Sequence, residues 1–282
     1  HGAVRIAKHL NGIGVKSFAV SSIEEGIELR KNGVIGEVLI LGWTSPKLAS
    51  ELKGFSLTQA IIDYTYAIEL NRTGIRIDVQ AAIDTGMHRI GIPYDKIDKI
   101  ISVFNLDNLN ITGIYTHLCS VKSLSEEAAV FTKMQTDRFD SVIDSLKEAG
   151  IPTTAAHAQS SYGLLNYPEI RYDYVRIGDA LYGMVDNNFY RAGDIVLKPV
   201  MSLKSRVIHI GKIKKGETIG YGNSFTALRD SEIAVLSIGF ADGVSRSISR
   251  EAYVLINGYR AKAVGSVCMD LMFADITAIG HV

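Results

Sequence analysis

The first two-thirds of the chain alternate short, continuous apolar runs with longer stretches in which apolar residues recur every three or four positions. The runs Ser17–Val20, Glu37–Leu41, Ala60–Ile62, Asp78–Ile83, Ile111–His117, Thr153–His157 and Tyr174–Ile177 predict strands buried on both faces, as in a parallel sheet. Helical signals fill the gaps. Ser22 with Glu25 makes a capping box ahead of Ile27 and Leu29, and Gly33 stops that helix. Ser45-Pro46 opens another, with proline at the first helical position. The longest runs from Ser125 to Gly150, with Val130, Met134, Val142 and Leu146 expected to face inward. Seven strand–helix units in series, joined by right-handed crossovers, predict an α/β fold of the (β/α)8 barrel type. That barrel is one strand short. The opening helical pattern Gly2–Leu10 has no strand before it, so the first strand is expected ahead of His1.

After about Asp186 the pattern turns to strands alone: Leu203–Ile210, Ile233–Phe240, Tyr253–Ile256 and Ala261–Val267. Asn257-Gly258, between two apolar runs, signals a two-residue hairpin. The expected organisation is a barrel domain over 1–190, lacking its first strand, and a truncated all-β domain over 191–282. The chain opens without methionine and stops at Ile279-Gly280-His281-Val282, which reads as an internal piece of a longer protein.

Composition narrows the partners. Thirty basic and thirty acidic residues cancel, which argues against nucleic acid or an anionic membrane surface. No apolar stretch approaches the roughly 18 residues of a membrane span, and the opening shows no signal-peptide pattern. Cys119 and Cys268 lie far apart within apolar runs, predicting buried thiols rather than a disulfide and a reducing, cytoplasmic setting. Metal-ligand spacing, a Walker loop and a dinucleotide fingerprint are all missing from the sequence.

Polar residues gather where the predicted strands end, the face on which barrel enzymes build their sites. Asp84-Thr85-Gly86-Met87-His88-Arg89 follows the fourth run, where Arg89 is either a solvated charge on a capping turn or a bidentate anion binder. His117 closes the next run, as a core histidine or a site residue. His157-Ala158-Gln159-Ser160-Ser161 follows the sixth, its hydroxyls able to cap a helix or hold a phosphate. Arg176-Ile177-Gly178-Asp179 ends the seventh. A buried arginine there needs a partner, and Gly178 lets a backbone amide approach a phosphate. The last two groups fall where barrels often bind phosphate. Together they predict a phosphorylated cofactor or substrate at the barrel mouth.

His1-Gly2-Ala3, the Asp84–Arg89 run, Tyr115-Thr116-His117, Tyr174-Val175-Arg176-Ile177-Gly178, Gly220-Tyr221-Gly222, Ile238-Gly239-Phe240-Ala241-Asp242-Gly243 and Val267-Cys268-Met269-Asp270 resemble, in order, the signatures of the alanine racemase family. The resemblance covers essentially the whole chain. It implies a barrel followed by a β domain, a pyridoxal 5'-phosphate cofactor, a small amino-acid substrate, and a homodimer in which one subunit's barrel meets its partner's β domain. The implied reaction interconverts L- and D-alanine, L- and D-serine, or both, by two-base α-proton transfer, supplying D-amino acid for cell-wall precursors. Tyr221 matches the base that takes the α-proton of the L-enantiomer, and His117 the histidine linking it to an arginine. Arg176 matches that arginine, paired with the pyridine nitrogen. It cannot donate a proton there at a pKa above about 12, which leaves the ring a weaker electron sink. Ser161, with the backbone of Gly178 and Asp179, matches the phosphate cradle, and His157 lies in the same cofactor-binding group. Arg89 and the backbone of Met269 match the contacts to the substrate carboxylate.

The chain departs from the family pattern at several places. The Schiff-base lysine belongs six residues before the His-Gly pair, a position ahead of His1, and no internal lysine has matching context. Ala82 stands where many members carry a lysine, often carbamylated, that orients the arginine. Phe240 replaces a tyrosine and Ser160 an asparagine. These changes put the question on the substrate. They suit an ordinary alanine racemase or the racemase domain of a vancomycin-resistance membrane protein. Two alternatives are a decarboxylase of the same fold, which would place an acid on the pyridine nitrogen, and a non-catalytic pyridoxal-phosphate barrel, which would lack the β domain.

Overall fold

A computed structural model describes residues 1–152, 155–185, 195–247 and 252–279. The chain divides into two compact units, His1–Met201 and Ser202–Val282. The change expected at Asp186, the 190/191 boundary, the first half of the Thr153–His157 run and the last three residues lie outside the described residues.

The first unit interleaves helices with parallel strands: α1 (Ala3–Gly12), β1 (Ser17–Val20), α2 (Ile23–Lys31), β2 (Glu37–Ile40), α3 (Ala49–Gly54), β3 (Thr58–Ile61), α4 (Tyr64–Arg72), β4 (Ile77–Asp84), β5 (Ile92–Pro93), α5 (Ile97–Phe104), β6 (Leu109–Tyr115), α6 (Glu126–Glu148), β7 (Ala156–His157) and α7 (Ser161–Asn166). The strands pair in the order β1-β2-β3-β4-β6-β7, with β5 beside β4, and form a curled half-barrel. Helices cover one face and side chains fill the other, so β3 is buried at every position. Val79, Ala81 and Ile83 of β4 enter the main core with Leu52, Leu70, Ile100 and Phe139. Ala82 turns the other way and packs with Leu39, Ala60 and Tyr115 in a second, inner cluster. Side-chain caps start the helices: Ser22, Asp63 and Ser125 accept from the backbone N–H three residues on in α2, α4 and α6.

Several expectations are corrected. Val130 is exposed; the inward stripe of α6 is Ala128, Thr132, Gln135, Phe139, Val142, Ile143 and Leu146. The stripe passes through two polar residues because that end of the helix faces polar loops rather than the core. β6 stops at Tyr115, which leaves His117 in the following loop. The seventh run shrinks to one bridge, Tyr174 with His157. Asp173 closes the ladder there, its carboxylate accepting from Ala156 N at 2.8 Å. Cys119 sits in the loop after β6 and is exposed, whereas Cys268 is partly buried; both are free.

The second unit is an antiparallel sheet. Its strands are β8 (Val207–Ile213), β9 (Thr218–Ile219), β10 (Phe225–Thr226), β11 (Ser231–Leu236), β12 (Tyr253–Ile256), β13 (Tyr259–Val264) and β14 (Met272–Asp275). The main sheet runs β12-β13-β14-β11-β8, and β9 pairs with β10. Asn257 (φ 52°) and Gly258 (φ 83°) form the hairpin turn that the sequence signalled, both left-handed as such a turn requires. Four strands among the described residues are unexpected: β5, β9 and β10, of two residues each, and β14, which lies in the interior of the sheet between β13 and β11. Two to four residues are too few to show a period.

Candidate functional site

β4, β6 and β7 end side by side; Arg89 and His117 lie in the loops after the first two, His157 ends β7, Ser161 opens α7, and Arg176–Asp179 follow the Tyr174 bridge. Arg176 is the hub. One terminal nitrogen, Nη1, donates to His157 Nδ1. The other, Nη2, reaches the carbonyls of Thr116 (2.8 Å) and Ala158 (3.0 Å) and His117 Nδ1 (3.2 Å). The guanidinium also lies 5.2 Å from the Tyr115 ring centroid. No carboxylate among the described residues forms an ion pair with it.

These partners fix the protonation of both histidines. A guanidinium only donates, so each Nδ1 accepts and each neutral ring carries its proton on Nε2. Burial, with the nearby Arg176 charge, pushes His157 down to about 3 and, with Arg176 and Arg89, His117 down to about 4. Burial also lowers Arg176 to about 10, which leaves it cationic at neutral pH. Tyr115 is pushed up to about 12 by burial.

The Asp84–Arg89 loop is bolted to its strand. Asp84 Oδ1 accepts from Gly86 N and His88 N, at 2.9 and 3.0 Å, and Asp84 Oδ2 lies 2.9 Å from His88 Nδ1. Arg138 Nη1, from α6, donates to Thr85 O at 2.9 Å. Arg89 is itself exposed, and its charge acts on Tyr115, His117 and Arg176.

Ser161 Oγ accepts from Gly178 N (3.0 Å) and Ala180 N (3.1 Å), which brings the Arg176–Asp179 segment against the start of α7. Asp179 is exposed and begins a short turn through Tyr182. A side chain added at Gly178 would meet open space, so a ligand can lie against that backbone.

In the second unit, Tyr221 opens a short turn between Gly220 and Gly222 and is exposed; its carbonyl accepts from Ser266 Oγ at 3.4 Å. Met269 is also exposed. Its carbonyl accepts from Ala241 N at 2.9 Å and that of Cys268 from Phe240 N at 3.0 Å, joining the Ile238–Gly243 and Val267–Asp270 motifs.

Sequence reasoning missed the residues that hold this network. Gln135 Oε1 accepts from Cys119 N (3.0 Å), and its Nε2 donates to His117 O (3.1 Å) and Thr85 Oγ1 (3.3 Å). Thr85 and Thr116 share a hydroxyl hydrogen bond of 2.8 Å. Gln80 Oε1 lies 2.6 Å from His157 Nε2. The available signal was a glutamine inside an apolar run at Gln80 and one on the inward period of a helix at Gln135.

Residues 1–186 match the family model for the alanine racemase N-terminal domain, and residues 200–282 that for the C-terminal domain. An amino-acid racemase of Enterococcus faecalis is 43% identical over the whole chain, and a serine/alanine racemase of Enterococcus gallinarum 41% identical over 98% of it. The chain spans 40% of the length of each. A solved alanine racemase of Clostridium difficile superposes with a TM-score of 0.88 at 32% identity, over all of this chain and 74% of that one.

Proposed function

The chain belongs to the alanine racemase family, and from that premise we propose that it is the cofactor-binding racemase portion of a protein that interconverts the enantiomers of alanine, serine or both. Arg176 carries the reading: it is held by two histidine nitrogens and two carbonyls, with no carboxylate ion pair among the described residues.

That donor set fits pyridoxal phosphate, the cofactor of the family. Arg176 would face the ring nitrogen as a fixed cation. Ser161, with the backbone of Gly178 and Asp179, would hold the phosphate in the open space beside Gly178. When bound, the cofactor supplies an electron-withdrawing ring that makes the α-proton of an amino acid acidic. A cation at the ring nitrogen, in place of the acid expected in a decarboxylase of this fold, favours proton return over other outcomes. Arg89 would orient the substrate carboxylate, with the Met269 backbone contributing from a second copy of the chain. Tyr221 of that copy would move the proton on the L-side. His117, neutral and bonded through Nδ1 to Arg176, leaves its Nε2–H to meet the tyrosine oxygen.

The test uses the full-length protein with cofactor and L-alanine or L-serine in deuterated water. Loss of the α-proton should accompany appearance of the D-enantiomer. Tyr221→Phe should slow exchange from the L-substrate by about 10²-fold or more. Unchanged exchange would remove Tyr221 from the reaction, and release of carbon dioxide with the amine would overturn the racemase reading.

A further inference from the structure

Beneath Arg176 a chain of hydrogen bonds continues into the half-barrel, away from any residue assigned a role so far. His157 Nε2 lies 2.6 Å from Gln80 Oε1, and Gln80 Nε2 lies 2.9 Å from Glu37 Oε1. Each link has only one possible direction. A carboxylate only accepts, so the Gln80 amide must turn its NH₂ to Glu37 and its carbonyl oxygen to His157. That oxygen also only accepts, so His157 must donate from Nε2. Its Nδ1 is then the acceptor that Arg176 needs.

The backbone is shaped for this contact. The β4–β6 register slips between Val79 and Gln80, so that Gln80 pairs with Gly113 and Thr112 is passed over. Such a bulge re-aims the residue beside it. A Cβ at Gly113 would come within 3.0 Å of Gln80 Cδ and 2.8 Å of Ala155 O, so only glycine leaves room for the amide. Gln80 is 2% and His157 4% exposed, which makes an unmet donor or acceptor here costly.

We propose that Glu37 and Gln80 are positioning residues that fix His157 as its Nε2–H tautomer and thereby hold Arg176 in the orientation the reaction uses. The role assigned to Arg176 rests on the racemase reading; the tautomer does not. The groups around His157 are Arg176 at Nδ1, Gln80 at Nε2 with Glu37 behind it, and Tyr115 stacked on the ring at 5.0 Å. Asp173 is engaged by the Ala156 backbone, and His117 lies across Arg176. A second proton on His157 would set two donors face to face at Arg176.

The test is ring-nitrogen NMR of the full-length protein carrying ¹⁵N-histidine, with racemisation followed in parallel. His157 should show a proton on Nε2 and none on Nδ1 across neutral pH. Gln80→Glu keeps the shape and sets a second carboxyl against Glu37, so the pair shares one proton and its one negative charge moves up beside Nε2–H; the His157 midpoint should rise by about 1 pH unit or more. Turnover in that variant should gain an acid limb at the same midpoint, with substrate KM moving less than twofold. Glu37→Gln lets the Gln80 amide turn its NH₂ towards His157, so the Nε2–H should lose its acceptor and exchange faster with water, while Arg176 keeps Nδ1 unprotonated. A wild-type proton on Nδ1, or an unmoved midpoint in Gln80→Glu, overturns the tautomer assignment. A moved midpoint with an unchanged acid limb overturns the positioning role. A wild type inert towards both amino acids sinks the racemase reading while the NMR result still decides the tautomer.

Discussion

Lowering the pH from 7 to 5 should destabilise this fold well before its carboxylates titrate, and the two site histidines set the size of the effect. An unfolded histidine titrates near 6.5. In the folded chain burial holds His157 at about 3 and His117 at about 4. Between these limits the unfolded state binds more protons, so stability present above pH 6.5 is lost as pH falls towards the folded values. At pH 5 an unfolded histidine is about 97% protonated, and a folded one at 4 or below at most a tenth. The loss from pH 7 to pH 5 is then about 2 kcal/mol for His157, nearly independent of where below 4 its folded value lies. His117 adds somewhat less, because water screens its more open position. The sum is a large fraction of the roughly 5–15 kcal/mol that stabilises a typical fold. Urea unfolding at pH 7 and 5, at one fixed cofactor concentration, measures it. His157→Asn should shrink the pH-dependent loss by about 2 kcal/mol whatever it does to stability at pH 7. If the variant lost as much stability as the wild type between the two pH values, His157 would not be held neutral in the fold.

Other consequences are more local. Gln135→Leu keeps the volume but strands Cys119 N and His117 O, and should cost about 1–3 kcal/mol for each group left unmet, read as a fall in urea midpoint. The same variant should speed proteolysis in the loop after β6, because Gln135 ties that loop to Thr85. Phe139→Ala empties a fully buried site and should cost about 3–5 kcal/mol, whereas Val130→Thr on the exposed face of the same helix should stay within about 0.5 kcal/mol. Equal costs at the two positions would contradict the inward stripe described for α6.

The order of elements was legible because burial on both faces writes continuous apolar runs, and parallel strands need helices between them. The Asn257-Gly258 turn was legible for a similar reason, since few residue pairs tolerate two left-handed positions in succession. Strand ends were not, since hydrophobicity continues past the point where pairing stops. His117 and Arg176 follow apolar residues, yet the chain has already left the sheet at both. β14 escaped because a four-residue strand gains its stability from neighbours on each side, β13 and β11, and carries little pattern of its own.

The site divides along the same line. The residues proposed to face a ligand sit mostly in loops, where an arginine or histidine stands out against small neighbours, and Arg89, His117 and Arg176 were read from that contrast; Ser161, at the start of α7, was read from its place ahead of a helix. Residues that aim those groups lie inside strands and helices, where a polar side chain looks like an interruption of the pattern. Gln80 and Gln135 are such interruptions. Each is buried, and each has its donors and acceptors spent on groups more than fifteen positions away in sequence. A buried glutamine can be justified only by partners that the linear sequence does not reveal. The interruptions in an apolar period are therefore where the second layer of this site was written. The direction of hydrogen bonding from Glu37 to Arg176 follows only once the fold brings β2, β4 and β7 into one half-barrel.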